Sequence, residues 1–209
     1  MTLYVIRHGE TDMNRLGGHF QGQIEIPLNE TGIRQAEEAR DRFRQENLTF
    51  SHVFASPLSR AFRTAEIVSG FSPEKIIIDD RLLELNFGPF EGRAWEEMNP
   101  RTLHALLHDP LNYYPPAGME TIYHLVARCS QFLQDMASRS GELSGNILIG
   151  AHGGTIRGIL CAMHVMDMRY FWEGPMNNCA CYELALDGNG FRLVSGDIPE
   201  AGKDLTDYV

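Results

Sequence analysis

The sequence predicts an α/β fold: a three-layer α/β/α sandwich with a mostly parallel central sheet and a short flap insertion. Three observations carry this prediction. Short apolar runs of strand-forming residues recur along the chain. Amphipathic stretches of helical period lie between them, so strands and helices alternate, as in a sheet covered on both faces. No repeat and no long linker divides the 209 residues, so one domain spanning 1–209 is expected. A chain of this length buries enough surface to hold together without a disulfide or a metal.

Each element has its own signal. Leu3 to Ile6 is a buried strand ended by Arg7-His8-Gly9. Thr31 to Gln45 is a helix, with Thr31 as its N-cap and Ile33, Ala36, Ala39 and Phe43 as its apolar face. His52 to Ala55 is a second strand, Ser56-Pro57 opens a helix through about Ser69, and Lys75 to Asp79 is a third strand. From Phe87 to Gly118, glycine, proline and aromatic residues are mixed, and only Arg101 to His108 reads as helix. That stretch, about 87–118, is the expected flap. Glu120 to Ser138 is a long amphipathic helix, carrying Leu125, Cys129, Phe132, Leu133 and Met136 on one side. Asn146 to Ala151 is another buried strand, followed by His152-Gly153-Gly154 and a helix. Cys179 to Leu186 and Phe191 to Val194 form a closing antiparallel pair around Asp187-Gly188-Asn189.

Composition excludes several functions. The net charge of −10 argues against nucleic acid or an anionic membrane as the main partner. No stretch approaches the length of a membrane span. The four cysteines lack framework or zinc spacing and read as thiols, with Cys179 and Cys181 on one face of a strand. The N-terminal run shows no signal-peptide pattern, so a cytoplasmic location is expected. Sixteen arginines stand against two lysines. Base composition accounts for most of that bias, but guanidinium also matches phosphate bidentately.

The chemistry gathers where strands end. His8 and His152 each emerge at a strand tip with glycine after them, which frees the ring and lets backbone approach a ligand. After His152 the turn opens a helix whose unpaired N–H groups, starting at Gly153, favour an anion. Arg60 falls in the first turns of a helix that leaves a third strand tip; Arg63, one turn on, fits the site or the surface equally well. Glu84 lies among apolar residues, where desolvation suits a carboxyl group to general-acid work.

These pieces, in this order, resemble the histidine phosphatase superfamily, also called the phosphoglycerate mutase-like family. The resemblance runs from Leu3 to about Arg157, and the remainder is compatible with it. It rests on Arg7-His8-Gly9-Glu10-Thr11 with Asn14, on Leu28-Asn29-Glu30-Thr31-Gly32 with Gln35-Ala36, on Ser56-Pro57-Leu58-Ser59-Arg60-Ala61 with Thr64-Ala65, and on His152-Gly153-Gly154. It implies that His8 is a nucleophile forming phosphohistidine, that Arg7, Arg60 and His152 bind the phosphoryl oxygens, and that Glu84 protonates the leaving oxygen. Asn14, Gln21 and Gly22 would line the phosphate side. No metal and no cofactor is implied. The expected partner is a small phosphorylated metabolite, with a homodimer as a candidate assembly.

Within the family, mutases carry a longer insertion with a basic pair after the glutamate segment, whereas Pro110 to Gly118 holds no basic residue. Phe87-Gly88 and Glu91-Gly92 also depart from the mutase pattern. Both departures favour water as acceptor, and the chain resembles the small bacterial group of broad-specificity and α-ribazole phosphatases. A cofactor-dependent phosphoglycerate mutase is the alternative within the family. A non-catalytic phospho-ligand module and a zinc hydrolase on His8, His152 and Glu84 are alternatives of other classes. The remaining histidines (His19, His52, His104, His108, His124 and His164) read as solvent-facing or structural, although His104 and His108 have metal-ligand spacing. Trp95, Trp172, Phe87, Phe90, Tyr113 and Tyr114 are candidates to line a substrate pocket but read mainly as aromatic core, and Arg157 reads as half of a structural ion pair.

Overall fold

A computed structural model describes residues 1–196; residues 197–209 of the expected domain lie outside it. The strands are β1 (Thr2–Arg7), β2 (His52–Ala55), β3 (Ile76–Ile78), β4 (Asn146–Ala151), β5 (Cys181–Asp187) and β6 (Gly190–Ser195). They form one sheet in the order β3-β2-β4-β1-β5-β6. The first four in that order run parallel, and β5 and β6 complete the sheet antiparallel. The helices are α1 (Asp12–Leu16), α2 (Glu30–Gln45), α3 (Ser59–Ser69), α4 (Pro100–His108), α5 (Ile122–Ser138) and α6 (Gly153–Ala162).

The period of two along each strand divides the core into two layers. Leu3, Val5, Ile147 and Ile149 pack on one face with Leu125 and Phe132 of α5 and Ile156 of α6. Ile6, Val53, Ala55 and Leu148 pack on the other with Ala36 and Phe43 of α2 and Ala65 and Val68 of α3. This is the expected sandwich. Among the described residues, no helix is long and apolar enough to cross a membrane.

Several boundaries differ from the sequence reading. The cap of α2 is Asn29, whose side chain accepts from the Gly32 N–H at 2.8 Å, so Thr31 lies inside the helix and Ile33 faces outward. Helix α3 starts only at Ser59, because Leu58 has extended backbone (φ −65°, ψ 129°) and stands as its N-cap. Pro73–Lys75 forms a 3-10 turn, which shortens β3 to Ile76–Ile78. Cys179 has left-handed backbone (φ 55°) ahead of β5, so it does not share a strand face with Cys181. Within 87–118, α4 is joined by 3-10 turns at Gly88–Phe90 and Trp95–Glu97.

Candidate active site

The sheet register brings the two strand-tip histidines together. Arg7 of β1 pairs with Ala151 of β4, so the next residues, His8 and His152, leave adjacent parallel strands at the same level. The His8 N–H donates to Ala151 O at 3.0 Å, and the two ring centroids lie 5.3 Å apart. His8 is 3% exposed and His152 is fully buried.

Its surroundings set the tautomer of His8. His8 Nδ1 lies 2.7 Å from Gly9 O. A carbonyl only accepts, so Nδ1 carries the hydrogen and Nε2 keeps a free lone pair. Burial, and then the charges of Arg7 and Arg60, hold the His8 pKa well below its ordinary value, so the ring is neutral. His152 Nε2 lies 2.8 Å from Ser56 Oγ. Ser56 Oγ also accepts from Leu58 N–H at 3.4 Å, and as a hydroxyl it can either donate to His152 Nε2 or accept from it. Burial, and then Arg60, His8 and Arg7, keep His152 neutral too.

Three charged side chains complete the centre. Arg60 is fully buried; its Nη1 donates to Ile24 O at 2.8 Å and its Nη2 to Gly22 O at 2.6 Å. Arg7 Nη1 donates to Met176 O. Desolvation pulls both guanidinium pKa values down, against the attraction of Glu84. Glu84 accepts from the Leu85 N–H at 2.8 Å and from the Gly154 N–H, at the start of α6, at 3.1 Å. Among the described residues, Arg7 Nε, Arg60 Nε and His152 Nδ1 are buried with no hydrogen-bond partner.

The sequence pattern of the histidine phosphatase superfamily (branch 1) matches residues 3–198. The chain belongs to that superfamily. It is 32% identical over 200 residues to phosphoglycerate mutase-like protein 4 of Arabidopsis thaliana, covering 93% of this chain and 80% of that one. It is 33% identical over 163 residues to the metal-independent phosphoserine phosphatase of the same plant, covering 75% and 66%. The solved structure of Bacillus stearothermophilus YhfR superposes with a TM-score of 0.82 at 30% identity, covering 94% of this chain and 97% of that one.

In this member of the superfamily, Arg7, His8, Arg60, Glu84, Asn14, Gln21, Gly22 and Gly153 all line one cavity of about 510 Å³. His152 does not form part of its wall; it lies buried against His8. Asn14 caps Thr11 in return, and its Oδ1 also accepts from Asn178 Nδ2 at 3.4 Å. Gln21 Oε1 accepts from Thr11 Oγ1 at 3.1 Å. Gly22 needs its left-handed backbone (φ 52°), and a Cβ there would collide with the Glu91 carboxylate. Glu91 joins loop to flap by accepting from the N–H groups of Gln23 and Phe87.

The other expectations divide. Arg63 faces outward and pairs with Glu66 at 2.6 Å, so it lies outside the site. Arg157 borders the cavity, and its guanidinium donates to Phe171, Glu173 and Gly174 carbonyls; burial lowers its pKa to about 10. Its partners are main-chain oxygens instead of the expected carboxylate. Phe87, Trp95 and Trp172 wall the cavity while belonging to or packing against the core, so both readings of them hold; His19 walls it too, against its reading as surface or structural. Tyr114 is 94% exposed. The His104 and His108 rings lie 4.6 Å apart, and among the described residues no cluster of three or more metal-ligating side chains occurs.

Sequence reasoning missed Asn178, whose Nδ2 donates to His8 O at 3.0 Å, and Met176, whose carbonyl holds Arg7. The only local signal was the Gly174-Pro175 turn and paired asparagines ahead of a strand.

Proposed function

We propose that this chain is a metal-independent phosphatase that hydrolyses small phosphomonoesters through a phosphohistidine on His8. One observation carries the reading: Arg7 Nε and Arg60 Nε, on two guanidiniums that line the cavity beside His8, are buried without partners. A buried donor left unpaired costs about 1–3 kcal/mol. A phosphoryl group in transfer spreads its charge over three peripheral oxygens, which would give each donor an acceptor.

The remaining parts fit the same step. Neutral His8 presents its Nε2 lone pair to phosphorus and needs no separate base. As the P–O bond to the alcohol breaks, Glu84 gives its proton to the leaving oxygen. Water then attacks the phosphohistidine, and Glu84 takes the proton back as phosphate and neutral His8 are released. Arg7 and Arg60 supply the positive charge a metal would bring, and two guanidiniums beside His8 would repel a cation. The superfamily membership and the relative named a metal-independent phosphoserine phosphatase support phosphatase activity.

The leaving group meets Phe20, Phe87, Trp95, Trp172 and Leu106 on the cavity wall. Arg157 is engaged with three carbonyls, so it does not offer the free basic pair a mutase uses for a second acidic group. Water is therefore the acceptor, and monoesters of apolar or aromatic alcohols are favoured, each apolar group adding about 1–3 kcal/mol of discrimination. A cytoplasmic setting belongs to the same reading, on the four free thiols.

His8→Ala is expected to abolish both hydrolysis of p-nitrophenyl phosphate and an acid-labile phosphoenzyme. Normal turnover by that variant would overturn the reading. With 3-phosphoglycerate, release of phosphate is expected; faster formation of the 2-isomer would make the chain a mutase.

A further inference from the structure

We propose that Arg128, held by Glu120, is the positioning residue that aims Glu84, and so governs how well the site expels poor leaving groups. This rests on reading Glu84 as the acid for the leaving oxygen.

Glu84 lies on irregular backbone between the 3-10 turns Asp80–Leu82 and Gly88–Phe90. No strand ladder or helix fixes it, so its main-chain groups must find partners elsewhere. Arg128, on α5, supplies them. Its Nη1 donates to Arg81 O at 2.7 Å and Leu83 O at 2.6 Å, and its Nη2 donates to Glu84 O at 3.1 Å. The remaining donors go to Glu120: Nε to Oε1 at 2.8 Å and Nη2 to Oε2 at 3.0 Å. All five N–H groups of the guanidinium are thereby committed.

Glu120 grips the far side of the same segment. Its N–H donates to Asn86 O at 2.8 Å, and its Oε2 accepts from Asn86 N–H at 3.3 Å. The two side chains are 11% and 8% exposed. An exposed pair would be too weakly held to fix anything, whereas a buried bidentate fork sets both distance and angle. Thr155 Oγ1 adds a bond to Leu83 O at 2.7 Å, and Gln23 Nε2 one to Glu84 O at 2.9 Å.

Arg128 does not wall the cavity. Besides its charge, which reaches Glu84 and His152 and which Arg128→Lys keeps, its influence on chemistry passes through the backbone that carries Glu84. Proton delivery depends on fine alignment with the leaving oxygen, while attack by His8 does not use this segment. Misaligning the acid should therefore slow formation of the phosphohistidine only from substrates that need protonation to leave; hydrolysis of the phosphohistidine, where Glu84 acts as base, is common to all substrates and does not enter kcat/KM.

The test compares Arg128→Met, Arg128→Lys and Glu120→Gln with wild type on p-nitrophenyl phosphate, a good leaving group, and n-butyl phosphate, a poor one. Arg128→Met should lower kcat/KM, which reports phosphoenzyme formation, on butyl phosphate by about 10- to 100-fold while p-nitrophenyl phosphate changes by less than about threefold. Arg128→Lys, which keeps charge but loses the fork, should fall between. Equal losses on both substrates, with a lowered melting temperature, would show a scaffold residue and overturn the proposal, as would no loss on either. If Arg128→Met does not fold, Glu120→Gln, nearly isosteric, decides by the same ratio. Glu84→Gln separates the two ideas. If it lacks leaving-group dependence, the acid assignment fails and the proposal with it; if it shows that dependence and the Arg128 and Glu120 variants do not, only the positioning role fails.

Discussion

Gly154 holds a carboxylate in place by having no side chain. Its N–H donates to Glu84 Oε2, and a Cβ in its place would collide with Glu84 Oε1. Gly154→Ala should therefore displace the acid while leaving α6 intact, since alanine favours a helix over glycine by about 1 kcal/mol. Steady-state kinetics beside a thermal melt check this: kcat on an alkyl phosphate should fall about tenfold or more with no loss of melting temperature. Unchanged alkyl phosphate turnover would show that the acid tolerates the methyl group. At this scale the gathering of His8, His152 and Arg60 was legible, because strand ends and helix starts are local signals that predict where side chains emerge; Glu84, on irregular backbone, showed only as a carboxylate among apolar residues. Asn178 and Arg128 were not. Their partners are main-chain oxygens 170 and 44–47 residues away, and nothing in residue type reveals a carbonyl that distant.

Strands were the most legible elements, because β1, β2 and β4 are buried on both faces and appear as unbroken apolar runs. Helix ends were less so. Asn29 and Thr31 are both good capping residues, and only the bond to Gly32 N–H decides between them. The start of α5 moved for a similar reason: Thr121 caps it, while Glu120 is engaged with Asn86 and Arg128. Least legible was 87–118, where three-residue 3-10 turns are too short to show a period. Hence the aromatic side chains there read as core, although Phe87 and Trp95 border the cavity.

For the whole molecule, two buried histidines that prefer to be neutral have a thermodynamic cost in acid. Both pKa values are depressed in the fold, so below the unfolded value of about 6.5 the unfolded chain binds protons that the native state refuses. Stability present above that pH should be lost progressively as pH falls through it. Melting temperatures taken from pH 7.5 downward test this: wild type should begin to lose stability near about pH 6.5, and His8→Ala should lose less across the same interval. An equally steep decline in both near about pH 6.5 would place the liability outside His8; carboxylates such as Glu120, which burial pushes up but pairing with Arg128 holds low, lose stability only below about pH 4.3.

The chain has two tryptophans, and both Trp95 and Trp172 border the same cavity. Intrinsic ultraviolet emission from the protein is therefore a local optical signal. Titrating vanadate should shift or quench it in proportion to occupancy, and a flat response would mean that the oxyanion settles out of reach of either indole.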